Sequence, residues 1–222
     1  MRKTAQEKIL VPVDGSDRAI NTVKYIARNE PFHPMRFVLF HVFSAVPESY
    51  WDMENNIRTR AVAKQARAWE LSQRKLVADH MERAKYLLEK SGIPEASIQM
   101  EIQNRKRGIA RDIIAEARNG YAAVVTRRRG ITGLRGVVLG SVATKLLAKI
   151  VFAPLILVGK KPSNKRILMA YDGSEDALKA LDFAGTTLAG FDYEIELLHV
   201  IRGGESGFPV PDSVASSEEF TR

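Results

Sequence analysis

Apolar residues in this chain fall into short unbroken runs, separated by stretches in which they recur on one helical face. Ile9–Val13 is a β-branched run ending in Asp-Gly-Ser, a pattern that predicts a buried strand and then a helix start. A helix is predicted over Arg18–Arg28, with Ala19, Ile20, Val23 and Ala27 on one face, and Pro31 and Pro34 end it. Phe37–Val42 is a second apolar run, continuous as strands of parallel sheets tend to be. A polar, proline-containing loop follows over Ser44–Asn56. Ile57–Lys90 then reads as helix, with Ala66, Trp69, Gln73, Leu76, His80, Ala84 and Leu87 tracing a partly apolar stripe. Such a helix is about 50 Å long, so a break or an overhanging end is expected. Ser91-Gly92-Ile93-Pro94 is its stop signal.

The remaining pattern gives a strand over Ile98–Ile102, a helix over Ile109–Ala117 closed by Asn119-Gly120, and a strand over Ala122–Thr126. A helix over Gly140–Ile150 and a strand over Leu155–Val158 follow. Strands alternating with helices imply an α/β fold with a mostly parallel sheet covered on both faces. After the linker-like Lys160-Lys161-Pro162-Ser163-Asn164 the pattern restarts. Ile9-Leu10 matches Ile167-Leu168, Asp14-Gly15-Ser16 matches Asp172-Gly173-Ser174, and His41-Val42 matches His199-Val200, always at the same offset of 158 residues. A constant offset across strand, helix and strand is an internal duplication. The predicted organisation is a complete domain over 1–160 and the β-α-β start of a second copy over 165–222, with an irregular tail from Gly203. Strands three to five of that second copy have no counterpart in the pattern.

Composition changes this picture little. The chain of 222 residues is 45% hydrophobic and 27% charged, ordinary for a globular protein. It has no cysteine, which excludes disulfides and thiolate metal sites and fits a reducing compartment. The N-terminal MRKTAQEKILVPVDGS lacks a signal-peptide apolar run, and the longest uncharged piece of the most apolar region, Ile150–Gly159, is too short to span a bilayer. The expectation is a cytoplasmic protein without membrane attachment.

Charge is more informative. The net +8 is concentrated between Glu116 and Asp172, where there is no acidic residue but eleven Lys and Arg, Arg127, Arg128 and Arg129 among them. A one-signed, glycine-dotted segment suits an anion such as phosphate, although a plain solvated surface is the alternative. Within it lies TRRRGITGLRGVVLGSVAT, Thr126–Thr144, in which a strand end, a glycine-rich loop and a helix start at Gly140-Ser141 succeed one another. Glycines allow close backbone approach, and a helix N-terminus offers free N–H groups to a phosphate. The same residues could equally make a flexible loop and an N-cap.

KILVPVDGS at the first strand, FHV at the end of the second and this loop together resemble the universal stress protein family. The resemblance covers Lys8–Gly159, and Arg166–Ile201 as a partial repeat. It implies an open five-stranded sheet of order 3-2-1-4-5, the adenine-nucleotide α-hydrolase-like fold. Ligands of open α/β sheets bind beyond the strand ends where chain direction reverses. Here that point lies between the first and fourth strands, and so between Asp14 and the Gly130 loop.

In the family's ATP-binding branch the loop reads G-x2-G-x9-G-[ST]. Gly130, Gly140 and Ser141 fit, whereas Arg127 stands where the first glycine belongs. The resemblance implies that Pro12, Val13 and Asp14 line the adenine and ribose end, that Val42 contacts the base, and that Gly130, Gly140, Ser141 and Val142 hold ribose and phosphates. Arg127 either blocks the phosphate position or pairs with a phosphate itself. Asp14 is equally a turn-maker. The ligand implied is ATP, with or without Mg2+, or a related adenine nucleotide, in a stress-response protein acting as a nucleotide-dependent regulator. The alternative is a non-nucleotide interaction module with a degenerate site.

His41 and His199, at strand ends in both copies, suggest packing or a backbone hydrogen bond. No metal-ligand spacing and no H-E-x-x-H, G-x-S-x-G or Walker A motif occurs, so no enzymatic activity beyond slow ATP hydrolysis is expected. Arg105-Lys106-Arg107 and Arg127-Arg128-Arg129 lack the interleaved aromatics of a single-strand nucleic-acid binder, which ranks that partner last. Family members commonly pair through their fifth strands. An open apolar edge at Leu155–Val158 beside an incomplete second repeat therefore predicts a homodimer, with an unidentified protein partner for signalling.

Overall fold

A computed structural model describes residues 7–17, 19–47, 58–128, 140–159 and 164–200. Its larger part is a five-stranded sheet in the order β3-β2-β1-β4-β5. The strands are β1 (Lys8–Pro12), β2 (Arg36–Phe43), β3 (Ile98–Asn104), β4 (Ala123–Arg127) and β5 (Leu155–Val158). Every pairing is parallel: Ile9 lies beside Phe37 on one side and Ala123 on the other, and Val125 beside Ile156. The central strands are apolar at nearly every position because both faces are covered.

Four helices cover the sheet: α1 (Ala19–Arg28), α2 (Arg60–Lys90), α3 (Ile109–Ala117) and α4 (Ser141–Lys149). On one face Ile20, Val23 and Ile26 of α1 and Met81, Ala84 and Leu88 of α2 pack with Ile9, Phe37 and Val125. On the other, Ala110 and Ile113 of α3 and Leu146 of α4 pack with Leu10, Phe40 and Val124. Successive strand residues thus feed the two cores alternately.

The long helix runs unbroken for 31 residues, and its apolar stripe differs from the one the sequence suggested. Buried on α2 are Ala63, Val77, Met81, Ala84 and Leu88, whereas Trp69 is 51% and Leu76 48% exposed. Only Ala84 belongs to both sets. The expected stripe runs through Trp69 and Leu76, while burial falls on the neighbouring rows and mainly on the C-terminal half. The N-terminal half overhangs. It is anchored there by Arg74, which pairs with Glu70 at 3.0 Å, donates to Asn104 Oδ1 at 2.9 Å and lies over the Phe43 ring. The helix ends as its sequence signal requires: Gly92, at φ 97°, donates to Glu89 O, and Ile93 N donates back to Leu88 O.

The C-terminal segment forms β6 (Arg166–Ala170), α5 (Glu175–Leu188) and β7 (Glu194–Leu198). β6 and β7 pair in parallel as a separate two-stranded sheet. Among the described residues no helix is long and apolar enough to cross a membrane.

Candidate functional site

Backbone polarity directs the carboxyl ends of β1, β2 and β4 to one rim of the sheet, and a cleft of about 540 Å³ opens there. Pro12, Val13 and Asp14 come from the end of β1, Val42 from β2, Arg127 from β4, and Gly140, Ser141 and Val142 from the start of α4. Eight of the nine residues expected at a ligand site therefore line one cleft; the ninth, Gly130, lies outside the described residues. The cleft sits where the chain departs to opposite sides from β1 and β4, which is the reversal point of this strand order.

The β1 turn is tightly specified. Asp14 Oδ1 accepts from the Ser16 amide at 3.0 Å and from the Ser16 hydroxyl at 2.6 Å. Ser16 Oγ in turn accepts the Ala19 N–H at 3.3 Å, opening α1. Gly15 has φ 74°, a conformation that costs a side chain strain. Asp14 is exposed, and its Oδ2 has no hydrogen-bond partner among the described residues. The turn-making reading of Asp14 is realised, with one oxygen left over.

His41 Nδ1 lies 2.6 Å from the Val13 carbonyl, to which it donates. Burial lowers its pKa from the ordinary value, against the Val13 bond and the Asp14 charge, which both raise it. A neutral imidazole thus pins the end of β1 to β2. The repeat reproduces this bond between His199 Nδ1 and the Tyr171 carbonyl, also at 2.6 Å.

At the opposite wall α4 begins at Gly140, which supplies no capping side chain, and its first turn carries no acidic residue. Gly140, Ser141, Val142 and Ala143 line the cleft, and the first amides of a helix have no acceptor within it.

Apolar walls that the sequence reading did not single out come from Phe40, Ile109 and Ile113, with Thr126 and Ala143 beside them. The spacing gave α3 correctly, yet nothing in it says that this helix packs beside β2 at the cleft. Its entry is fixed by Asp112, only 3% exposed, whose carboxylate accepts from the amides of Lys106 at 2.8 Å and Arg107 at 3.0 Å. Among the described residues no group of three or more His, Asp or Glu could hold a metal ion.

Arg127 occupies an unexpected position. It lines this cleft and also a second one on the α1 side of the sheet, and its Nη1 is buried without a hydrogen-bond partner among the described residues.

An open parallel sheet of order 3-2-1-4-5 with a cleft at its reversal point is the architecture of adenine-nucleotide α-hydrolase-like proteins. The sequence model of the universal stress protein family matches residues 6–157 and again 163–221, and the chain belongs to that family. A universal stress protein of Mycolicibacterium smegmatis is 29% identical over 199 residues, covering 86% of this chain. The chain spans 63% of that relative's length. Among solved structures, a universal stress protein from Archaeoglobus fulgidus superposes with a TM-score of 0.64 at 18% identity, covering 90% of this chain and 70% of its own. A protein described as hypothetical, whose structure was used to assign its biochemical function, gives 0.50 at 22% identity, covering 71% and 99%. At these identities the two structures show the fold.

Proposed function

We propose that this chain is a cytoplasmic stress-response protein that binds ATP or a related adenine nucleotide in the β1–β4 cleft, and that occupancy of the cleft is its regulatory signal. The domain over 1–160 carries the site, and 165–222 resembles the start of a second copy. What supports the reading is the meeting of Asp14, with its spare carboxylate oxygen, and the uncapped start of α4 across one cleft with apolar walls. The walls suit a base, and the helix start suits phosphates. Any turnover of the nucleotide is slow hydrolysis.

Titration calorimetry with ATP and ADP, with and without Mg2+, tests this: binding with a submillimolar dissociation constant is expected. Absence of both heat and thermal shift at millimolar nucleotide rejects it. The rival, an interaction module with a degenerate site, is favoured by Arg127 alone. Replacing Arg127 by glycine weakens nucleotide binding if the guanidinium is a phosphate ligand. Binding gained only in the variant would establish the rival.

The chain is also proposed to form a homodimer. Leu168 is 62%, Leu197 62% and Val200 72% exposed on and beside the β6–β7 sheet, and the edge strand β5 is half-buried along Leu155, Ile156 and Leu157. Two strands and one helix are too few to bury such a face, and a second copy offers the same apolar surface in return. Sedimentation at micromolar concentration should show a dimer; a clean 24.8 kDa monomer would end the claim.

A further inference from the structure

The second cleft, of about 850 Å³, lies between α1 and β5 on one side and β6, α5 and the start of β7 on the other. Among the described residues its cationic lining is Lys24, Arg28, Arg127, Lys165 and Arg166, and no Asp or Glu lines it. The two buried side-chain polar atoms without a hydrogen-bond partner among the described residues are Arg127 Nη1 and Thr187 Oγ1. Both residues line this same cleft. We propose that the cleft is an anion site that takes a small phosphate-bearing molecule, distinct from the cleft between β1 and β4.

The physical argument has three parts. A buried guanidinium N–H and a buried hydroxyl that lack partners each cost roughly 1–3 kcal/mol, a cost that an anion accepting from them would remove. Lys24, Arg28, Arg127 and Lys165 face the cleft with no carboxylate among its described lining residues, and an anion among them offsets their mutual repulsion. The shape is concave and of small-molecule size, so the partner is a compact ligand rather than an extended polymer. Tyr25 and Tyr193 supply flat walls, and Tyr193 Oη donates to Asn29 Oδ1 at 3.3 Å, closing one side of the cleft across the two parts of the chain. Arg166 pairs with Glu194 at 3.0 Å and Glu196 at 3.8 Å. Both pairs are well exposed, and such pairs are weak competitors for a phosphate.

The proposal does not depend on what binds between β1 and β4, and its test keeps the two apart. Inorganic pyrophosphate is titrated into the full chain by calorimetry, with sulfate at equal ionic strength as control. Wild type should bind pyrophosphate in preference to sulfate. Lys24→Gln/Arg28→Gln on one wall and Lys165→Gln/Arg166→Gln on the other should each weaken binding by about tenfold or more, as for lost charge-assisted hydrogen bonds. Thr187→Val should weaken it too, while leaving the ligand-free melting temperature unchanged or higher. ATP binding in the other cleft should persist in both double variants, since none of those four residues lines it. No preference over sulfate in wild type would overturn the proposal. So would pyrophosphate affinity unchanged in both double variants, which would locate that anion elsewhere.

Discussion

Replacing Phe37 by alanine should lower the unfolding free energy by about 3–5 kcal/mol, the range for emptying an aromatic site in a packed core. Phe37 is fully buried near the start of β2, beside Ile9 of β1 and Ile98 of β3, in the cluster that α1 and α2 cover. The cost has two sources: the ring's transfer from water is lost, and strands held on both sides cannot collapse into the space. Trp69 makes the contrast. It is larger but 51% exposed on the overhanging half of α2, and Trp69→Ala should change stability by no more than about 0.5 kcal/mol. Urea unfolding of the two variants checks the ordering, which burial sets and side-chain size would invert.

That contrast also marks how far the fold could be read from the sequence. The inner strands β1, β2 and β4 were legible because a parallel sheet covered on both faces writes itself as unbroken apolar runs, whereas β3 alternates. β5 over Leu155–Val158 and α3 over Ile109–Ala117 fall at the expected residues, and the other boundaries within a few. α2 departs from its predicted stripe because a helix that overhangs its sheet leaves large apolar side chains such as Trp69 exposed, whereas Met81, on the half that packs, is buried.

The two Asp-Gly-Ser turns are alike down to single hydrogen bonds. Ser16 N to Asp14 and Ala19 N to Ser16 in the first copy recur as Ser174 N to Asp172 and Ala177 N to Ser174. The bond from His41 to Val13 likewise recurs as His199 to Tyr171. Short-range chemistry of this kind is encoded within a few residues, so it survives wherever the motif does. The second cleft was not legible. Its walls come from α1, β4, β5, β6, α5 and the approach to β7, and no motif joins Lys24 to Lys165 or Thr187. The sequence signalled only an acid-free segment; the fold brings part of that segment against α1.

The repeated turn supplies an internal control for the role of Asp14. Asn in place of Asp14 keeps a carbonyl oxygen where Oδ1 accepts from Ser16, so the turn and the start of α1 should persist, with stability changed by no more than about 0.5 kcal/mol. The substitution places an N–H₂ group where Oδ2 now stands, and a ribose hydroxyl or other donor facing that atom loses a charged acceptor. Hydrogen bonds to charged groups are worth about 1.5–3 kcal/mol, so ATP affinity should fall by about tenfold or more. Asp172→Asn alters the same turn at the start of the second copy, where Asp172 lines neither cleft, and should leave affinity and melting temperature as in wild type. Calorimetry on the pair decides between the two uses of the residue. Equal ATP binding in both variants would leave Asp14 as a turn-maker only and move recognition to the apolar walls and the start of α4.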